Sequence, residues 1–96
     1  MRVLIIKTRD ATIYLNEAAS VSIISGGVRM SSTLPFRLVE KVFADYDSGK
    51  RVIRGDLGSA VFFMDGINFE YAFKNFKYKG KIESIMEATL GEEVTF

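Results

Sequence analysis

Ninety-six residues, 48% hydrophobic and 26% charged, are enough for one buried core and too apolar for a disordered tail. A formal net charge of +1 argues against a strongly basic nucleic-acid binder taken as a whole, so any such activity needs a local patch. The chain has neither cysteine nor histidine, which removes disulfide frameworks, thiolate and imidazole metal sites, and every Ser-His or Cys-His nucleophile.

The first apolar run, Val3 to Ile6, ends at Lys7. It is too short for a signal peptide or a membrane span, so a soluble, cytoplasmic protein with no membrane association is expected. β-Branched and apolar on both faces, the run suits a central strand. Thr8 to Asp10 is turn-like, and Thr12 to Leu15 follows as a strand with Ile13 and Leu15 inward. After a break at Asn16 to Ala19, Val21 and Ile23 alternate with serines. Gly26-Gly27 then closes this strand onto Val28 to Met30, since paired glycines accept the positive φ of a primed turn.

From Ser31 the period changes. Leu38, Val39, Val42, Phe43 and Tyr46 make one apolar stripe with Arg37, Glu40, Lys41 and Asp45 between them, which predicts an amphipathic helix over 34–48. Ser32 or Thr33 suits its N-cap, Pro35 its first turn and Gly49 its C′ position. Arg51 to Arg54 reads as a short strand and Gly55 to Ser59 as a glycine-rich connection.

Ala60 to Phe73 is the densest aromatic stretch and reads as a hairpin about Asp65-Gly66. A two-residue loop there pairs Met64 with Ile67, Phe62 with Phe69 and Ala60 with Tyr71, and places these six side chains with Phe73 on a core face. The other face carries Val61 and Phe63 among polar residues. A second helix is expected over 81–90, where Ile82, Ile85, Met86 and Leu90 form a stripe ended by Gly91, and Val94 to Phe96 suits an edge strand. The fold class that follows is α+β: one domain, 1–96, with a mostly antiparallel sheet of short strands and hairpins and two amphipathic helices.

No catalytic template survives. Asp45 to Gly49 superficially resembles a calcium loop, but Gly49, Lys50 and Asp56 fall where the third acidic residue, the glycine and the closing glutamate belong. Gly49-Lys50 is followed by Arg51 where a P-loop needs Ser or Thr. The carboxylate pairs Asp45/Asp47, Glu83/Glu87 and Glu92/Glu93 read as turn or solvated-face residues. No metal and no cofactor is expected. If catalysis occurs, Asp56, beside Gly55, Gly58 and Ser59, is the loop-borne acid to test.

Two surfaces remain. Val61 and Phe63, apolar on the outer hairpin face, point to a protein interface, and so to a non-enzymatic small binding module that acts through protein contacts and self-associates as a homodimer. The alternative lies in Phe73 to Lys81, where Lys74, Lys77, Lys79 and Lys81 interleave with aromatics including Tyr78: aromatic faces stack on unpaired bases and lysines follow phosphates. The competing reading of that segment is structural, with aromatics in the core and lysines blunting a sheet edge.

Overall fold

The computed structural model describes residues 1–89. Its elements are β1 (Arg2–Thr8), β2 (Ala11–Asn16), β3 (Ser20–Ser25), β4 (Val28–Thr33), α1 (Phe36–Asp47), β5 (Ile53–Leu57), β6 (Ala60–Met64), β7 (Asn68–Phe73) and β8 (Phe76–Thr89). The eight strands form one antiparallel sheet in the order β4-β3-β2-β1-β8-β7-β6-β5. Each half is a four-stranded meander, α1 carries the chain from one free edge to the other, and the halves meet where β1 pairs with β8. No described helix is long and apolar enough to cross a membrane.

The 14-residue β8 joins the two halves: Phe76 to Lys81 pair with β7, and Ile82 to Thr89 pair with β1. At about 3.3 Å per residue a straight strand of this length would run more than about 40 Å, beyond the longest molecular extent of 29 Å. It bends at a bulge, where Thr8 pairs with Ile82 but Lys7 with Ser84, leaving Glu83 as an extra residue. The sheet thereby folds over itself, and hydroxyls meet across it, Ser32 Oγ with Tyr71 OH at 2.9 Å and Thr8 Oγ1 with Tyr78 OH at 2.6 Å.

This architecture overturns the expected α+β class and its second helix. Residues 81–89 are strand, and the helical appearance of Ile82 and Ile85 arises from the bulge, which shifts the alternation by one and returns both isoleucines to the inner face three residues apart. Leu90, Gly91, the Glu92/Glu93 pair and the expected edge strand 94–96 lie outside the described residues. Arg51 to Arg54 is also displaced: the strand is β5, with Gly55 to Leu57 inside it rather than in a connection.

The central hairpin forms with a different register. Met64 pairs with Phe69 and Phe62 with Tyr71, two residues beyond the expected partners. The cause is Asp65, whose Oδ1 accepts the N–H of Ile67 at 2.9 Å and of Asn68 at 2.6 Å while its own N–H donates to Asn68 O at 3.2 Å, so that the turn closes between Asp65 and Asn68. A two-residue slip keeps the face: Phe62, Met64, Phe69 and Tyr71 are buried, while Ile67 is left 53% exposed.

α1 matches its predicted stripe, with Leu38, Val39, Val42 and Phe43 buried. Pro35 occupies the N-cap and no side chain caps the start, so neither Ser32 nor Thr33 takes that role. At the C-terminus Gly49 (φ +74°) donates to Tyr46 O and Lys50 to Asp45 O, a Schellman closure. The inner faces of both half-sheets and the buried face of α1 share one core containing Leu4, Ile6, Ile13, Leu15, Val39, Phe62, Phe69 and Tyr71.

Candidate functional site

Two strands end the sheet, and their free edges differ. Gly26 (φ +58°) and Gly27 (φ +79°) form a two-residue primed turn, so Ser25 and Val28 are a hydrogen-bonded pair. By alternation Val28, Met30 and Ser32 bond β3, and the main-chain N–H and C=O groups of Arg29, Ser31 and Thr33 point away from the sheet. Among the described residues no backbone hydrogen bond from beyond β3 reaches them. The strand carries one charge, Arg29, and no proline. It lacks the usual devices that keep an edge from pairing.

The same alternation at the Gly58-Ser59 loop turns Arg54 and Asp56 toward the outer edge of β5. That edge is capped in part by α1. Lys41 Nζ from α1 donates to Arg54 O at 2.9 Å, and Leu38 and Val42 crowd Gly55 from the inner side. Asp45, buried, holds Lys41 in place at 2.6 Å and is itself kept below the usual carboxylate range, chiefly by that bond and then by Lys50.

Beside β4 a cavity of about 330 Å³ opens between the inner side chains Met30 and Ser32 and the β7–β8 turn, lined also by Tyr71, Phe73, Lys74, Asn75 and Phe76. Tyr71 is fully buried and bonds Ser32 at its floor; burial pushes its phenol above the usual range. A second cleft of about 310 Å³ lies along α1, where Glu17, Glu40 and Asp47 surround Phe36, Val39, Phe43 and Ala44. At its side Arg2 bonds Asp47 and Glu87 and lies 5.0 Å from the Phe43 ring; its hydrogen bonds hold both carboxyls below their usual range.

Val61 and Phe63 stand together on the outer face of β6, half-buried. Phe63 sits between Arg54 and Glu70 on the neighbouring strands, with the Arg54 guanidinium 5.5 Å from its ring, and Val61 sits between Asp56 and Ala72. Charges therefore rim this apolar patch closely. Lys77, Lys79 and Lys81 project from that same outer face of β8, Lys79 opposite Glu70. Tyr78 does not join them. It faces inward, with its hydroxyl 2.6 Å from both Thr8 Oγ1 and Asp10 Oδ1, and Lys74 lies apart in the β7–β8 turn. The lysine-aromatic segment is thus split by strand alternation into a lysine row outside and aromatics inside.

Asp56 is exposed and bound by Arg54 Nε at 2.8 Å. Among the described residues there is no cluster of three metal-ligating side chains. The β4 edge and its cavity escaped the sequence because Met30, Ser32, Tyr71 and Phe76 are far apart in the chain; the scarcity of charge in Val28 to Thr33 was the available signal. Comparison of the chain with protein-family models, with curated proteins and with solved structures found no match.

Proposed function

We propose that this protein is a non-enzymatic binding module that acts through protein contacts and joins a second copy of itself along β4. The observation that carries this reading is the asymmetry of the two sheet edges: at β5 Lys41 of α1 caps the outward Arg54 carbonyl, and along the six residues of β4 no outward main-chain group is capped among the described residues. Strand addition to an open edge supplies main-chain hydrogen bonds without any special side chain. A two-fold axis through Ser31 is self-complementary: Ser31 faces Ser31, Arg29 faces Thr33 and Met30 faces Ser32, so no like charges meet. The lack of cysteine suits a reducing compartment such as the cytoplasm. The Val61 and Phe63 patch, narrow and charge-rimmed, is the secondary surface in this reading.

Light scattering at tens of micromolar should give twice the 10.8 kDa chain mass. Ser31→Pro removes an outward N–H that β3 does not use, a position where edge strands tolerate proline, and should give a folded monomer. A wild-type monomer, or a Ser31→Pro dimer, would sink the β4 reading. A dimer abolished by Phe63→Ser but not by Ser31→Pro would move the interface to the outer face of β6.

A further inference from the structure

We infer that the cavity between β4 and the β7–β8 turn binds a small amphipathic carboxylate, an apolar body with one anionic head group, and that Lys74 receives the head. This goes beyond the pairing of β4, which uses main-chain groups at Arg29, Ser31 and Thr33, whereas the cavity uses side chains. Its volume, about 330 Å³, falls at the lower end of the range for small-molecule sites. Met30, Phe73 and Phe76 supply apolar walls. The polar atoms at the floor are already satisfied, because Ser32 and Tyr71 bond each other at 2.9 Å and no buried side-chain donor or acceptor among the described residues lacks a partner. A ligand tail therefore gains by being apolar, and has no unmet hydrogen bond to serve.

The rim selects the charge. Among the described residues Lys74 is the sole ionic side chain lining the cavity, with the Asn75 amide beside it. Its ammonium lies 5.3 Å from the ring of Phe73, itself a cavity wall, which keeps the charge close to the apolar lining. The backbone at Lys74 has φ +56°. Glycine, asparagine or aspartate takes this region at low cost, and lysine does not, so the fold carries strain at the very residue that brings a cation to the rim. Lys77, Lys79 and Lys81 project from the outer face, so Lys74 is the lysine of its segment that lines this cavity.

The test is calorimetric titration and thermal unfolding of the wild type, the Ser31→Pro variant and Lys74→Gly with sodium octanoate, 1-octanol and octylammonium chloride. One octanoate per chain should bind in wild type and in Ser31→Pro, raise Tm, shift the Met30 methyl resonance, and bind about tenfold more tightly than octanol, with octylammonium weaker still. Lys74→Gly should raise Tm without ligand, by release of strain, and lower octanoate affinity to that of octanol. A merely structural lysine would not separate stability from binding in opposite directions. No saturable octanoate binding at millimolar concentration, equal affinity for octanoate and octanol, or unchanged octanoate affinity in Lys74→Gly would overturn the inference. Binding in wild type but not in Ser31→Pro would also overturn it, by making the site a product of strand pairing. A wild-type monomer that binds octanoate would leave it standing while the dimer reading fails.

Discussion

Gly55→Ala probes the seating of α1 on β5, on which the closure of that edge depends. A methyl built at Gly55 stands 2.1 Å from Leu38 Cδ1, 3.4 Å from Leu38 Cγ and 3.7 Å from Val42 Cγ2. Carbon atoms rest at about 3.5–4.0 Å, so Leu38 Cδ1 must retreat by about 1.5 Å. Leu38 is 3% exposed and belongs to the core, which leaves it little room. Overpacking of this size costs about 1–3 kcal/mol, a fall in Tm of roughly 5 to 20 °C for a chain of this length. Leu38→Ala alone removes the obstruction but leaves a hole, at a cost of about 2–5 kcal/mol. In the double variant the methyl introduced by Gly55→Ala would enter that hole, so its loss should be smaller than the sum of the two by about 1 kcal/mol or more. Urea denaturation of the four proteins measures this. Strict additivity, or Gly55→Ala within about 0.5 kcal/mol of wild type, would show that Leu38 does not press on β5 and refute the packing argument.

The same geometry sets three more expected outcomes. Lys41→Ala should free the Arg54 carbonyl and open the β5 edge while Lys50 still neutralises Asp45; with both edges open, association should run past the dimer, seen as a light-scattering mass that climbs with concentration. A mass that stops at the dimer would mean that Lys41 is not what keeps β5 shut. Tyr78→Phe removes a hydroxyl bonded to Thr8 and Asp10 and should lower stability by about 1–2 kcal/mol in urea; unchanged stability would show that these two bonds do not hold the strand bend together. The carboxyls of Asp47 and Glu87, held down by Arg2, and of Asp45, held down by Lys41, lose their protons more readily in the folded chain than in the unfolded one. The folded state thus binds fewer protons in acid, so their stabilisation is complete above the ordinary carboxylate pKa of about 4 and is lost as pH falls below it. The urea midpoint should drop in that acid window, and Asp47→Asn should shallow the drop; an acid limb unaltered by that substitution would contradict the Arg2 linkage.

Several features were legible residue by residue. The apolar run Val3 to Ile6 lies in a central strand, Gly26-Gly27 makes the expected primed turn, and the stripe from Leu38 to Phe43 becomes the buried face of α1. Each depends on neighbours within a few positions, where backbone sterics and period alone act. Elsewhere a local signal was read against the wrong partner. Asp65-Gly66 predicts a turn correctly, but the register is set by Asp65 Oδ1 bonds to Ile67 and Asn68 that a dipeptide motif does not encode. Lys77 to Lys81 alternates as a strand should, yet the following Ile82 and Ile85 mimic a helix because a bulge opposite β1 inserts Glu83 between them.

Residue order alone was therefore sufficient to say which side chains are apolar, where most of the turns fall and that the stripe beginning at Leu38 is helical. Three-dimensional assembly was needed to pair β8 with β1, to cap the Arg54 carbonyl of β5 from α1 while leaving β4 uncapped, and to bring Lys74 into the lining of a cavity walled by Met30, Phe73 and Phe76. Those outcomes are pairings between segments tens of residues apart. Their loop-closure entropy is offset only when the whole core assembles, so no local pattern carries them.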